Sequence, residues 1–280
     1  MPQGALNVIV NDAEQAPEIV EALISHPAVR RINFTGSTRI GRAIAVVAAH
    51  HLKPCLLELS GKGTMIVLAD ADLEAAAKAA VFGGYFNQGQ ICMSTERIIV
   101  EESVADQFIA ALIRRVDAES PQGRLIGADA AARVRSILDD AVELGARLIR
   151  GGKVEGDRIS AAVVDEVSPR MRLYSEEVFG PVLGIVRVRD RDEALTIAND
   201  TEYGLVASIF SADIAAATEM LWQIEVGVGH INGSTVFDNP ALPYGGVKAS
   251  GYGRFGGTSA IEEFTECHWV AVHDQPTGNT

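Results

Sequence analysis

Between Leu6 and Leu59 the chain alternates short apolar runs with helix-like segments, and this alternation restricts the fold more than any other feature. Leu6-Asn7-Val8-Ile9-Val10, Arg31-Ile32-Asn33-Phe34 and Cys55-Leu56-Leu57-Glu58-Leu59 read as buried strands, with helices over 17–26 and 40–50 between them. Strands that are short, apolar and separated by helices belong to parallel sheets covered on both faces. The expectation is an α/β protein.

Further along, the spacing predicts an Ala-rich helix over 73–86 capped by Asp70 or Asp72, a strand over 97–100 and a helix near 105–116. An amphipathic helix over 129–144 has Asp129 as its expected cap and Gly145 as its stop. Asp190 and Glu193 fit a capping box for a helix ending near Asn199. A strand over 205–210 leads to Ser211, the expected cap of a helix reaching Ile224. The glycines 245, 246, 251, 253, 256 and 257 exclude continuous helix or strand there, and 264–272 reads as a final strand.

A net charge of −13 argues against nucleic acid and anionic membranes as partners. Three cysteines, Cys55, Cys92 and Cys267, without CxxC spacing point away from a disulfide framework or zinc site and towards a reducing cytoplasm. The residues after Met1 lack the basic and apolar regions of a signal peptide, and no apolar run is long enough to span a bilayer. No metal is expected.

Two segments carry the chemistry. Leu57-Glu58-Leu59-Ser60-Gly61-Lys62 and Phe86-Asn87-Gln88-Gly89-Gln90-Ile91-Cys92 offer a carboxylate and a thiol, the pair needed for covalent carbonyl chemistry. Singly, Glu58 reads as well as a solvated carboxylate and Cys92 as a small buried hydrophobe. Phe34-Thr35-Gly36-Ser37-Thr38-Arg39-Ile40-Gly41 joins a strand to a helix whose free N–H groups suit a phosphate, although it reads equally as an ordinary capped helix start. With their flanks, these segments resemble the glutamate, cysteine and cofactor-turn signatures of the aldehyde dehydrogenase superfamily. Ser175-Glu176-Glu177-Val178-Phe179-Gly180-Pro181-Val182, His230-Ile231-Asn232-Gly233 and Pro243-Tyr244-Gly245-Gly246-Val247-Lys248-Ala249-Ser250-Gly251 resemble its downstream loops, in family order.

The resemblance implies a partial Rossmann-type cofactor half over 1–60, an α/β catalytic domain over 61–255 and an oligomerisation strand and tail over 256–280. It implies Cys92 as nucleophile, Glu58 as the base that activates water, and Gly36, Ser37, Gly41, Leu59, Glu177 and Phe179 as contacts of NAD, with NADP as the alternative. Gln90–Val100, 171–182 and 248–255 are similar to the salicylaldehyde and vanillin dehydrogenase branch, which implies an aromatic aldehyde substrate and a homo-oligomer of two or four chains. Two positions depart from the pattern: Ser60 stands where a glycine is usual, and Gly63-Thr64 where a small residue precedes proline. The resemblance begins inside the cofactor domain, so the expectation for this chain alone is impaired catalysis. The competing expectations are an interaction partner of intact subunits and a cofactor-free thiol esterase.

Overall fold

Parallel pairing gathers the apolar runs of the chain's middle into one large sheet. The computed structural model describes residues 1–119 and 123–273; the end of the expected tail, 274–280, lies outside the described residues. Seven strands run in the order Val228–Ile231, Val206–Phe210, Gly63–Val67, Thr95–Glu101, Val182–Val188, Ala162–Asp165 and Arg147–Arg150. Neighbours are parallel except Arg147–Arg150, which pairs antiparallel at the edge. Gly63–Val67 and Val206–Phe210 are buried at every position, as central parallel strands require. Leu73–Tyr85 and Glu102–Glu119 cover one face with Ala76, Ala80, Phe108 and Leu112. Ala128–Glu143, Arg191–Asn199 and Ile214–Leu221 cover the other with Ile137, Leu138, Ala194 and Met220.

A second sheet has three strands, with Cys55–Glu58 between Ile32–Thr35, which runs parallel, and Gly251–Tyr252, which runs antiparallel. Helices Ala16–Ser25 and Thr38–His50 pack on it through Ile24, Ile44 and Ala48. The architecture is the α/β one expected.

Several local expectations fail for identifiable reasons. Residues 6–10 form no strand; Leu6 and Val10 are 71% and 91% exposed, because Ile32–Thr35 has a neighbour on one side only and nothing extends the ladder. Likewise 264–272 is not a strand. A helix, Gly257–Phe264, ends there, and the following residues have no regular structure and no pairing partner. Asp129 is not a cap: the helix starts at Ala128 after Gly127, so Asp129 lies inside the first turn, where its charge favours the dipole. Asp213, not Ser211, caps Ile214–Leu221 by accepting from Ala216 N–H, since the Ser211 hydroxyl donates to Asp70. That contact also leaves Asp72 as the cap of Leu73–Tyr85. Asp190 caps its helix as expected, while Glu193 reaches back to Arg189 N–H.

Candidate active site

The two sheets meet with opposite ends facing one cleft. Ile32–Thr35 and Cys55–Glu58 end there, and Gly63–Val67, Thr95–Glu101 and Val182–Val188 begin close by. The carboxyl ends of parallel strands are where open α/β sheets receive ligands. The cleft encloses about 850 Å³. Seven of the eight residues expected to form the site line it: Gly36, Ser37, Glu58, Leu59, Cys92, Glu177 and Phe179.

Gly41 is the exception. It is buried one turn into helix Thr38–His50, where a Cβ would lie 2.4 Å from the Leu59 side chain, so its place is close packing beneath the cleft wall. The segment 230–233 also stays off the cleft wall. Asn232 instead exchanges hydrogen bonds with the Ser211 backbone through both ends of its amide.

Close backbone approach brings the Glu58 and Cys92 loops together. A Cβ on Gly61 would lie 2.5 Å from the Cys92 carbonyl oxygen, and one on Gly63 2.0 Å from that of Ser94. Any side chain there would separate the loops. The cysteine loop itself is strained, with Asn87 and Gln88 at φ of 50° and 61°, a cost of about 1–3 kcal/mol for each such residue. Gln90 holds it: its amide donates to the Asn87 and Arg124 carbonyls and accepts from Ile126 N–H.

Glu58 is 3% exposed, and neither carboxylate oxygen has a hydrogen-bond partner among the described residues. Burial pushes its pKa up to about 7, with the Arg254 charge and the Gly246 N–H opposing from beyond good hydrogen-bond geometry. Burial also holds the Cys92 thiol above its usual range. The Tyr244 hydroxyl, 3.6 Å from Cys92 Sγ, works against this, while the Glu58 and Glu177 charges reinforce it.

Glu177 and Phe179 are fixed by a buried ion pair that sequence reasoning did not single out. Lys62 Nζ donates to Glu96 at 2.8 Å and to the Glu176 carbonyl at 2.6 Å, with both side chains shut from solvent. The Glu96 carboxylate accepts from the N–H groups of Val178 and Phe179, which holds Phe179 at φ 52°. Glu177 in turn accepts from Gly61 N–H at 2.9 Å, and the nearby Ser60 hydroxyl favours its charged form. The Gly61 N–H thus joins the Glu58 loop to Glu177. Lys62, Glu96 and Tyr244 each stand inside a segment that resembles the family, but their contacts come from long-range packing, which the local pattern does not reveal.

The wall formed by Gly36, Ser37, Thr38 and Arg39 suits a phosphate. Ser37 caps the helix by accepting from Ile40 N–H, and the Thr38 and Arg39 N–H groups, first in the helix, have no intrahelical acceptor. Among the described residues no metal-binding cluster occurs and no helix is long and apolar enough to cross a membrane.

A thiol, a buried carboxylate and a helix start with free N–H groups line one cleft of an α/β protein. Residues 1–270 match the aldehyde dehydrogenase family, and the chain belongs to it. It is 51% identical to vanillin dehydrogenase of Pseudomonas fluorescens, over 98% of this chain and 58% of that protein. It is 46% identical to salicylaldehyde dehydrogenase of Pseudomonas putida, over 97% of this chain and 58% of the relative. The crystal structure of a salicylaldehyde dehydrogenase from Pseudomonas putida G7 with salicylaldehyde superposes with a TM-score of 0.93 at 45% identity, covering 96% of this chain and 57% of that one. The chain therefore spans under three-fifths of the length of the relatives it matches.

Proposed function

We propose that the cleft oxidises an aromatic aldehyde to its carboxylic acid with NAD or NADP, through a thioester on Cys92. The observation that carries this reading is that Cys92, Glu58, Glu177, Phe179 and the Gly36–Arg39 helix start line a single cleft. Kinship with proteins that act on vanillin and salicylaldehyde supports the aromatic class.

In this reading Cys92, as thiolate, forms a C–S bond to the aldehyde carbon, and the carbonyl π electrons move to oxygen, where the Cys92 N–H donates. The carbonyl re-forms as hydride departs, leaving the thioester. When bound, the nicotinamide cofactor supplies the hydride acceptor. Glu58 takes a proton from water, whose oxygen attacks the thioester; the C–S bond breaks and the acid leaves. The Thr38 and Arg39 N–H groups and Ser37 would hold the cofactor phosphates. Glu177, Phe179 and Leu59 would hold its nicotinamide end, with Glu177 kept in place by the Gly61 N–H. A carboxylate base with no protein partner, facing a cleft, fits hydrolysis of the thioester rather than its transfer to another thiol.

Residues 1–60 supply the cofactor wall in this reading, and 61–255 the nucleophile and the cofactor glutamate. The wall is thinly packed, so turnover by this chain alone falls below that of its relatives. The test is reduced-nicotinamide absorbance with benzaldehyde, vanillin and salicylaldehyde and either cofactor, in the chain and in Cys92→Ser. Slow turnover that Cys92→Ser removes is expected; turnover that survives it ends the proposal.

A second reading, an interaction partner of intact subunits, draws on the exposed Trp269, Val270 and Val272 beyond the last helix. The same strip would serve self-association. Absence of co-purification with a full-length homologue eliminates the subunit-partner reading.

A further inference from the structure

We infer that the Tyr244 hydroxyl donates a hydrogen bond to the Cys92 sulfur and stabilises its thiolate, which adds a group touching the reacting atom to the Cys92–Glu58 pair. This rests on the reading of Cys92 as the nucleophile.

Tyr244 Oη lies 3.6 Å from Cys92 Sγ, a distance at which either atom can donate. Protonation state decides which one does. While the thiol is neutral the contact is a weak one between two neutral groups; once the sulfur is charged only the phenol has a proton to give, and the bond becomes charge-assisted. The donor is therefore worth more to the thiolate than to the thiol.

The surroundings make such a donor necessary. Burial, Glu58 and Glu177 all work against a negative sulfur, and the groups working for it are the Tyr244 hydroxyl and the Cys92 N–H. Arg254 acts on Glu58, and one arm of its guanidinium donates to the Gly246 and Gly253 carbonyls at 2.8 Å. Tyr244 itself stays protonated, since burial and the neighbouring sulfur and carboxylate push its own ionisation far up. Its backbone is pinned on both sides: Tyr244 N–H donates to Phe255 at 2.8 Å, and Phe255 N–H returns the bond at 2.7 Å. The adjoining Gly245 lets Glu58 approach, since a Cβ there would lie 2.9 Å from Glu58 Oε1. One loop thus carries the thiolate donor and faces the base.

The test is the pH dependence of Cys92 alkylation by iodoacetamide in the full chain, read peptide by peptide by mass spectrometry. The reaction forms a C–S bond as iodide leaves and needs neither aldehyde nor cofactor. Tyr244→Phe should slow Cys92 alkylation at neutral pH by about tenfold and move its alkaline rise to higher pH. The exposed Cys267 should be unaffected. Glu58→Gln, which removes an opposing charge, should shift Cys92 the other way. If Cys55, half-buried at the start of the small sheet's central strand, becomes fast in Tyr244→Phe, the fold has loosened. A fluorinated tyrosine at 244, a stronger donor of the same shape, then decides by speeding Cys92. A Tyr244→Phe profile in an intact fold that is unchanged or faster overturns the inference, as does a fluorinated variant that leaves Cys92 unmoved. These outcomes leave the dehydrogenase reading standing; that reading falls by turnover surviving Cys92→Ser, whatever the alkylation profile shows.

Discussion

The body built on the seven-stranded sheet and the smaller unit before Ser60 bury very different amounts of apolar surface. The large sheet is packed on both faces, with Ile66, Ile98, Ile99, Phe108 and Ile137 wholly shut from solvent. The smaller unit has a cluster of three buried residues, Ile24, Ile44 and Ala48, with Leu56, Leu57 and Leu59 buried along and just after its central strand, and it leaves Leu6, Val8, Ile9 and Val10 exposed. Local opening is governed by such differences, so the small unit belongs at the low end of the chain's stability range. In the proposed mechanism the nucleophile, Glu177 and Phe179 ride on the firm body and the phosphate-facing helix start on the soft one. Glu58 sits at the seam, because its strand pairs with Ile32–Thr35 on one side and with Gly251–Tyr252 on the other.

That contrast breaks most visibly in the chemistry. Cys92→Ser should abolish turnover, since no other thiol lines the cleft. Glu58→Gln should lower turnover by about 10²–10⁴, yet still release one equivalent of reduced cofactor in a burst before stalling at the thioester. A missing burst would place Glu58 before the hydride step rather than after it. The next largest effects are on stability. Lys62→Met strands the Glu96 carboxylate in the body and should cost about 3–5 kcal/mol in urea unfolding. Ile44→Ala in the small core should cost about 2 kcal/mol, expressed as faster amide exchange across Ile32–Thr35 and Cys55–Glu58 while the main transition holds. A shift of the whole urea transition by Ile44→Ala would show the two regions to be one cooperative unit.

The legibility of the sequence follows the same division. Strands Ile32–Thr35 and Cys55–Glu58 and the helices beside them were readable because caps and breakers bound each run, as the Ser37 cap shows. Most of the large sheet was not: Gly63–Val67, Arg147–Arg150, Ala162–Asp165, Val182–Val188 and Val228–Ile231 were unforeseen. Gly63–Val67, Ala162–Asp165 and Val182–Val188 are buried on both faces and lose the two-residue alternation that marks a strand, and Gly63, Gly184 and, in the edge strand, Gly229 read as breakers. In the site, Glu58, Cys92 and Glu177 were legible through signature flanks. Tyr244 and Glu96 also stood in family-like segments, but their roles were not legible, because their meaning comes from contacts made across 152 and 82 residues of chain. The segments 6–10 and 264–272 show the opposite error, a strand-like pattern with no neighbour to pair with.

The seam carries a smaller, graded signature in its pH response. Hydrolysis needs ionised Glu58, whose pKa is raised to about 7, so the rate should climb as pH rises through that value. Between pH 6 and pH 8 the ionised fraction, and with it a hydrolysis-limited rate, should grow about tenfold. Because the Cys92 thiol is also held above its usual range, a second rise should follow at higher pH under conditions limited by attack on the aldehyde. A flat profile from pH 6 to pH 8 would mean that neither group is limiting there.

The smallest expected effect separates the two tasks of the soft wall. Ser37 caps helix Thr38–His50 through a long bond, 3.4 Å from Ile40 N–H, so Ser37→Ala should cost only about 0.5 kcal/mol, the low end for a lost cap. Ser37→Gly should cost a few tenths, about what glycine gives up at that position. If the hydroxyl served the helix alone, nucleotide affinity would follow stability, with alanine weakening binding more than glycine. If the hydroxyl also donates to a phosphate, both variants lose that bond and weaken nucleotide binding equally, while differing in amide exchange along the helix. Titration of the two variants with NAD and NADP, set beside exchange over Thr38–His50, distinguishes a helix start that only holds its shape from one that also holds the cofactor.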